Sequence, residues 1–563
     1  MRKQDERAAA ANAMLRSVYR EERGRVLAIT AGRILQGIVY MAFVFFTRAL
    51  IDSAVAGDDA GILRAALWLL GVVLFRLGLS YGLKWLDGST QHRALMRMRT
   101  RMYTDILHKK QRALSPYHST VLLERLNRDL PDVIAYPVTI VPGYVGSLSG
   151  LVCAVWALFW MNRLLPALLL GAGLLLSGAG RLVQRRVKNN YRAYSAANEQ
   201  AHAYYQESMA NSLMLKVFRA QPQAAARAEA FERRAYGKWK GWFVFNQLLK
   251  SGVSAFFQLG YLGAMVFCAT RLAAGAMSFG DMTAILQLVD EIQDPFSSLG
   301  DLLSARYAAQ ASAERLLELE ELPAEPPPAP GDGWALYGAM AALEIADLTF
   351  GYDQRPVLRH ASAQLEKGDF VVIAGRSGIG KSTLLKLLLG VYEDYSGRIE
   401  LVRADGSRTP LDVSTRALFA YVPQQHMVFS GSVRDNLRFL CGQATDDELW
   451  RAARLADAEG FLRQLPQGLD TPLGERGLGL SEGQAQRLAI ARALLAHAPI
   501  LVLDEATSAL DEETERRVLQ NIRALGEITL LTISHRRAAF EICNREWRLT
   551  GSGIEGREIR HDG

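Results

Sequence analysis

The chain has 563 residues, more than one ordinary domain needs and enough for several cores. Half of them are hydrophobic and 22% charged, and the mean hydropathy of +0.03 is the average expected when an apolar membrane part is joined to a soluble part. The net charge of +7 fits nucleic acid poorly, because the basic residues flank apolar stretches and so read as loops beside anionic headgroups. Cys153, Cys268, Cys441 and Cys543 have no metal or redox spacing and make no disulfide framework.

The first twenty or so residues are charged and Ala-rich with no apolar core, so they predict an amphipathic helix at the membrane surface, with no cleavable signal. A bilayer-spanning helix takes about 20 mostly apolar residues. Val26–Phe46, interrupted by Arg33, and Ile62–Leu83, with Arg76 inside, both fit. Val138–Trp160 and Leu164–Leu182 follow, separated by an Asn162-Arg163 turn, and Ser251–Thr270 is the fifth. The sixth, Ala284–Leu303, is too polar for hydropathy alone. It completes an even number of spans and leaves the downstream domain on the same side as the N-terminus. The long connections Asp87–Pro137 and Arg181–Lys240 are rich in Arg and Lys, whereas Asp52–Gly61 carries Asp52, Asp58 and Asp59. By the positive-inside rule the long loops and both termini are cytoplasmic. Their Ala, Leu and Tyr periodicity predicts helices continuing past the bilayer, with tips at Pro116–Leu130 and Glu207–Gln221.

The sixth span holds Asp290, Glu291 and Asp294 near its middle, with Gln287 and Gln293. Gln287, Asp290 and Asp294 share a helix face by their spacing. One charge at bilayer depth costs about 3 kcal/mol on insertion scales, so the cluster must line water or find partners. Two readings stand: a substrate pathway selecting cationic or zwitterionic compounds, or intramembrane salt bridges to Arg33, Arg76 or Lys250. Prolines 323, 326, 327, 328 and 330 then mark a semi-rigid linker. The expected division is a membrane part over residues 1–320, a linker over 321–338 and an α/β domain over 339–563.

In that last part strands alternate with helices. The apolar run Phe370–Ala374 leads into Gly375, Arg376, Ser377, Gly378, Ile379, Gly380, Lys381, Ser382 and Thr383, and a leucine-rich helix follows. Strand, glycine loop and helix are the context that a phosphate-binding loop requires. The glycines let successive N–H groups turn inward, and the helix N-terminus adds positive potential. Lys381 is placed for the β- and γ-phosphates and the Ser382 hydroxyl for Mg²⁺. Tyr352, after the strand-like Leu343–Phe350, is a ring for adenine to stack on. Ile500–Leu503 is a buried strand ending in Asp504 and Glu505: Asp504 is placed to hold Mg²⁺ through water, and Glu505 to polarise the attacking water as general base. His535, after the apolar Ile528–Ile533, is a γ-phosphate contact.

Leu480-Ser481-Glu482-Gly483-Gln484 resembles the signature motif of ATP-binding-cassette (ABC) proteins. With it stand Gln424 in Tyr-Val-Pro-Gln-Gln, Gly474-Glu475-Arg476-Gly477, Ser508-Ala509-Leu510-Asp511 and His535. Six spans followed by one cassette is the layout of an ABC exporter half-transporter, and the Gly-Glu-Arg-Gly element is similar to one of the exporter branch. The resemblance implies a helical membrane bundle followed by an α/β P-loop NTPase, with ATP and Mg²⁺ held between two cassettes closed head to tail. It implies that Ser481, Gly483 and Gln484 bind the partner's γ-phosphate, that Gln424 senses Mg²⁺ and water, and that Asp511 couples the two sites. The family usually has glycine where this chain has Glu482, whose carboxylate is expected to point away from ATP. The expected activity is ATP-driven efflux of a small-molecule, peptide or lipid substrate across a bacterial plasma membrane, by a homodimer or with a related half-transporter. A lipid flippase, or an importer on the exporter fold, are the alternatives. A nucleic-acid ATPase leaves the apolar spans unexplained, and no leader-peptide protease domain fits before the first span.

Overall fold

The computed structural model describes residues 2–559 except 118, 162, 328–331, 353–354, 426–427, 475–476 and 478. Outside the described residues lie Asn162, Pro328, Pro330, Glu475 and Arg476, and also the side chains of Lys250, Gln293, Asp294 and most residues between 168 and 188. By its contacts the chain forms two compact units. One comprises Met1–Ile106 with His118–Glu321, the other Leu107–Tyr117 with Leu322–Gly563.

The described elements of the first unit are helices: α1 Arg2–Glu21, α2 Arg23–Ala56, α3 starting at Asp59, and, after the short α4 Gln111–Leu114 of the second unit, α5 Ser119–Met161. Then come α6 Leu164–Ala210, α7 Ser212–Val217, α8 Gln221–Ala273 and α9 Phe279–Glu320. Helices α2, α3, α5 and α8 are each long and apolar enough to cross a membrane. The expected fourth and sixth spans fall within α6 and α9, which are not among those four, and α9 has Pro295 inside it. At 53 residues α8 is roughly 80 Å long, more than twice a hydrocarbon core of about 30 Å, so the predicted extensions are present. The second tip falls at Asn211–Ala220, where α7 stands between the long helices.

Helix ends follow local chemistry. Gly57 takes the left-handed conformation (φ +69°) and its N–H bonds back to Ala54, which ends α2. Ser278 and Asp281 form a capping box that starts α9. A core joins α2, α5, α8 and α9 through Val44, Leu158, Cys268, Leu288 and Ile292. α1 is the amphipathic helix its composition predicts. Ala11, Met14, Leu15 and Val18 form a stripe at helical spacing that is buried against protein, including α9. α5 is interrupted by two wide π turns, Arg125–Asp129 and Tyr136–Ile140. Pro131, Pro137 and Pro142 stand at or beside them, and each removes a backbone donor from the ladder, which is the physical reason for the widening.

Among the described residues the second unit holds twelve strands: β1 Met340–Tyr352, β2 Arg355–Glu366, β3 Phe370–Ala374, β4 Ser396–Arg403, β5 Arg408–Pro410 and β6 Phe419–Val422, then β7 Gly431–Ser432, β8 Pro472–Leu473, β9 Ile500–Asp504, β10 Thr529–Ile533, β11 Arg545–Thr550 and β12 Gly553–Glu558. Strands β2-β1-β4-β5 form an antiparallel sheet, and β12-β11-β3-β10-β9-β6 a mainly parallel one. β3 and β9 are buried along their whole length, which explains why they read as continuous apolar runs. Val371, Ile373, Ile500 and Val502 face the antiparallel sheet and helix Lys381–Leu388. Phe370, Val372, Leu501 and Leu503 face the opposite core, which holds helices Glu482–Leu494 and Glu512–Arg523. The glycine loop leaves the end of β3, and Asp504 ends β9, with β10 between the two strands.

Candidate nucleotide site

Beyond β3 the chain turns through three glycines at positive φ: Gly375 (+148°), Gly378 (+77°) and Gly380 (+110°). At Gly380 a Cβ would also come within 2.6 Å of the Val357 side chain, so both space and backbone conformation require glycine. Helix Lys381–Leu388 starts directly after it. Lys381 is nine-tenths buried, and its Nζ donates to the carbonyls of Gly375 (2.9 Å) and Arg376 (3.3 Å). The ammonium is thereby held across the mouth of the loop, with His535 Nε2 at 3.1 Å. The sequence reading named Lys381 and His535 separately; the parallel pairing of β3 with β10 brings them together.

Ser382 Oγ donates to Asp504 Oδ1 at 2.9 Å, and Tyr421 donates its hydroxyl to Asp504 Oδ2 at 3.1 Å. Burial raises the Asp504 carboxyl above the usual range, and these two hydrogen bonds act against that rise. One residue on, Glu505 takes the left-handed conformation at φ +52°, and its Oε2 accepts from Gln424 Nε2 at 2.7 Å. A hydroxyl, a carboxylate and an amide carbonyl are the hard oxygen donors that Mg²⁺ prefers, so Ser382, Asp504 and Gln424 fit that ion. Tyr421 is a functional neighbour that the sequence reading missed. Its signal is its place on β6, whose residues pair in register with β9.

Tyr352 is part-exposed beside the loop, with its hydroxyl 3.3 Å from Thr383 Oγ1 and its ring edge-on to Phe350 and Tyr392. Arg376 and Ser377 are exposed at the loop, and Ile379 is packed beneath it. Ser481 and Gln484 form a capping box: Gln484 N–H donates to Ser481 Oγ (3.3 Å) and Ser481 N–H to Gln484 Oε1 (2.9 Å). Glu482 is exposed in the first turn of that helix, where a carboxylate suits the helix dipole. Gly483 makes its close backbone approach to the Ala509 carbonyl, 3.0 Å from where a Cβ would stand. Asp511 accepts from the Thr514 N–H at 2.8 Å, caps helix Glu512–Arg523 and is lowered in pKa by that contact.

Of the polar residues in the middle of α9, Asp290 is exposed, while Gln287 and Glu291 are part-buried. The Glu291 carboxylate occupies the space that a side chain on Gly150 of α5 would take. Arg33 lies 3.7 Å from Asp87, and the Arg76 guanidinium lies over the rings of Tyr40 (5.0 Å) and Phe43 (5.3 Å).

A bundle of long apolar helices and a phosphate-loop cassette in one chain define one half of an ATPase-coupled membrane transporter. Two family models match: the ABC transporter transmembrane region over residues 26–296 and the ABC transporter over residues 358–508. The ATP-dependent lipid A-core flippase of Chromobacterium violaceum is 30% identical over 528 residues, covering 88% of this chain and 85% of that protein. ABC transporter ATM1 of Toxoplasma gondii is 32% identical over 364 residues, 61% of this chain; the match spans only 32% of that longer protein. Among solved structures, a bacterial Atm1-family ABC exporter with ATP bound shares the fold at a TM-score of 0.79, with 24% identity and 96% of each chain covered. The chain belongs to the ABC transporter family and has the architecture of its exporter half-transporters.

Proposed function

We propose that this chain is an exporter that moves its substrate by alternating access, driven by Mg²⁺·ATP bound and hydrolysed between the cassettes of two copies. The division that serves this is a membrane part over residues 1–320, a linker over 321–338 and a cassette over 339–563. The observation that carries the reading is the hydrogen-bonded set Lys381–His535, Ser382–Asp504 and Gln424–Glu505, with the base Glu505 present. A cassette that carries its own base is compatible with a homodimer in which both sites turn over.

In this reading the loop 375–383 and Lys381 hold the phosphates and Tyr352 stacks on adenine. Ser382, Gln424 and Asp504 would hold Mg²⁺, which would neutralise charge on the phosphates. Glu505 takes a proton from the attacking water, and His535 steadies the γ-phosphate. Ser481, Gly483 and Gln484 close the partner's site at a helix N-terminus, and Asp511 links the two sites. The exporter-type loop charges support a bacterial plasma membrane with both termini in the cytoplasm. Gln287, Asp290, Glu291 and Asp294 are the candidate pathway residues.

The lipid flippase relative supports a second reading, in which the cargo is a lipid. The test is ATP-dependent accumulation from a mixed metabolite and peptide extract in inside-out vesicles, read by mass spectrometry, with Glu505→Gln vesicles as blank. Glu505→Gln is expected to bind ATP and hydrolyse it at least about 100-fold more slowly. Normal turnover in that variant removes Glu505 as the base. Enriched soluble species support export, whereas lipid-stimulated ATPase without enrichment supports the flippase.

A further inference from the structure

Two turns carry the reacting side of the cassette: the one after Glu505, through Asp511, and the one at Ser534–Arg536 that presents His535. They are fastened by buried groups that the site above does not use. Glu515, on helix Glu512–Arg523, is fully buried. Its Oε1 accepts from Thr507 Oγ1 at 2.7 Å and from Ser534 Oγ at 3.3 Å. Thr507 is two residues after Glu505, and Ser534 immediately precedes His535. One carboxylate oxygen therefore bridges the segment bearing the candidate base and the segment bearing the candidate γ-phosphate contact.

Two further groups hold the first turn. Arg536, whose guanidinium is 3.8 Å from Glu515 Oε2, donates to the carbonyls of Ser508 and Leu510. Gln486 is buried on the signature helix; it donates to Ser508 Oγ at 3.2 Å and accepts from the Ala509 N–H at 3.0 Å. Gly483 on the same helix lets the Ala509 carbonyl approach. A buried carboxylate is a poor choice for stability alone, because an apolar residue of similar volume fills such a place as well or better. Its use is to fix two hydroxyls at a set distance.

We propose that Glu515 is a positioning residue for ATP hydrolysis: by holding Thr507 and Ser534 on one oxygen it sets the spacing of Glu505 and His535, while Gln486 ties the same turn to the signature helix. This rests on the assignment of Glu505 and His535 above. Each chain then carries a direct side-chain path from the helix that serves the partner's ATP to the turns that serve its own.

The experiment is steady-state Mg²⁺·ATP hydrolysis by the full chain, with thermal unfolding of the same preparations. Glu515→Leu is expected to lower kcat at least about tenfold while KM for ATP moves less than about threefold. Glu515→Gln keeps the shared acceptor oxygen and is expected to recover most of that loss. Thr507→Val preserves shape and breaks one arm; it is expected to lower kcat in the same direction even if Glu515→Leu does not fold. Unchanged kcat in Glu515→Leu or Thr507→Val overturns the proposal. So does an equal loss in Glu515→Leu and Glu515→Gln, or a fall in kcat accompanied by equal losses of ATP affinity and melting temperature. Glu505→Gln in the same assay separates the two ideas. Its normal turnover removes the base assignment, and the Glu515 variants then report on the placing of His535 alone.

Discussion

Glu505 sits in the left-handed region, where a side chain with a Cβ is strained by roughly 1–2 kcal/mol and glycine is not. The strain turns the chain at the end of β9, so that Asp504 faces Ser382 and Glu505 faces Gln424. Replacing Glu505 by Gly removes the proposed base and relieves the backbone, whereas Ala removes the proposed base and keeps the strain. Glu505→Gly is therefore expected to be about 1 kcal/mol more stable than Glu505→Ala, both inactive, as read by thermal unfolding with parallel ATPase assays. At this scale the phosphate loop was legible, because its glycines, lysine and serine are contiguous and need one backbone path. Tyr421 and Glu515 were not. Asp504 reaches Tyr421 across 83 residues, by the sheet order alone, and Glu515 joins two turns that follow different strands.

Among elements, the signature helix Glu482–Leu494 shows one sequence pattern serving two ends. Ser481 and Gln484 fit the anion-binding role that the resemblance implies, and in this chain their side chains close a capping box. Ser481→Ala is expected to cost about 1 kcal/mol of stability without nucleotide, measured by thermal unfolding of the apo chain. No loss would mean that the hydroxyl is held for ATP alone. The serine-to-glutamine spacing was visible in the sequence; its use as a cap was masked by the stronger family signal. For α9 the difficulty was opposite. Asp290 and Glu291 depress its hydropathy, and only its core residues Ile285, Leu288 and Ile292, packed with α5 and α8, place it in the bundle. The amphipathic pattern of α1 was legible, but its cover was not. A stripe such as Met14, Leu15 and Val18 suits lipid and protein equally well.

At the scale of the whole molecule, Leu107–Tyr117 runs on from α3 yet groups by its contacts with the second unit. Its backbone bridges the linker, with Lys110 N–H to the Pro323 carbonyl (2.9 Å) and Glu325 N–H to the His108 carbonyl (2.7 Å). Arg416 then binds Glu325 by two hydrogen bonds, at 2.6 and 3.1 Å, and the carbonyls of Leu389 and Gly390. Lys110 pairs with Glu393 and Arg112 with Asp394, just past the phosphate-loop helix. These pairs are part-exposed, and such pairs are worth about 0–1 kcal/mol, so they set alignment more than stability. Lys110→Glu is expected to lower the ratio of transport to ATP hydrolysed by about two- to fivefold, and the swap with Glu393→Lys to restore it; vesicle uptake against phosphate release measures both. If the single change leaves that ratio unaltered, the pair plays no part in coupling. Sequence order alone counted this segment as a membrane-part loop, because it lies between two long helices.

The wide turns in α5 have a mechanical consequence. A continuous helix is a stiff lever that delivers at one end the displacement applied at the other. Where Pro131, Pro137 and Pro142 withhold their donors, the ladder is loosened between Arg125 and Ile140, and bending costs less there than in the regular turns on either side. The apolar length Val141–Met161 and the length Ser119–Glu124 can thus keep their own hydrogen bonds while the angle between them changes. α5 is in this sense two struts joined by an elbow in which two π turns flank the short regular length Leu130–Ala135.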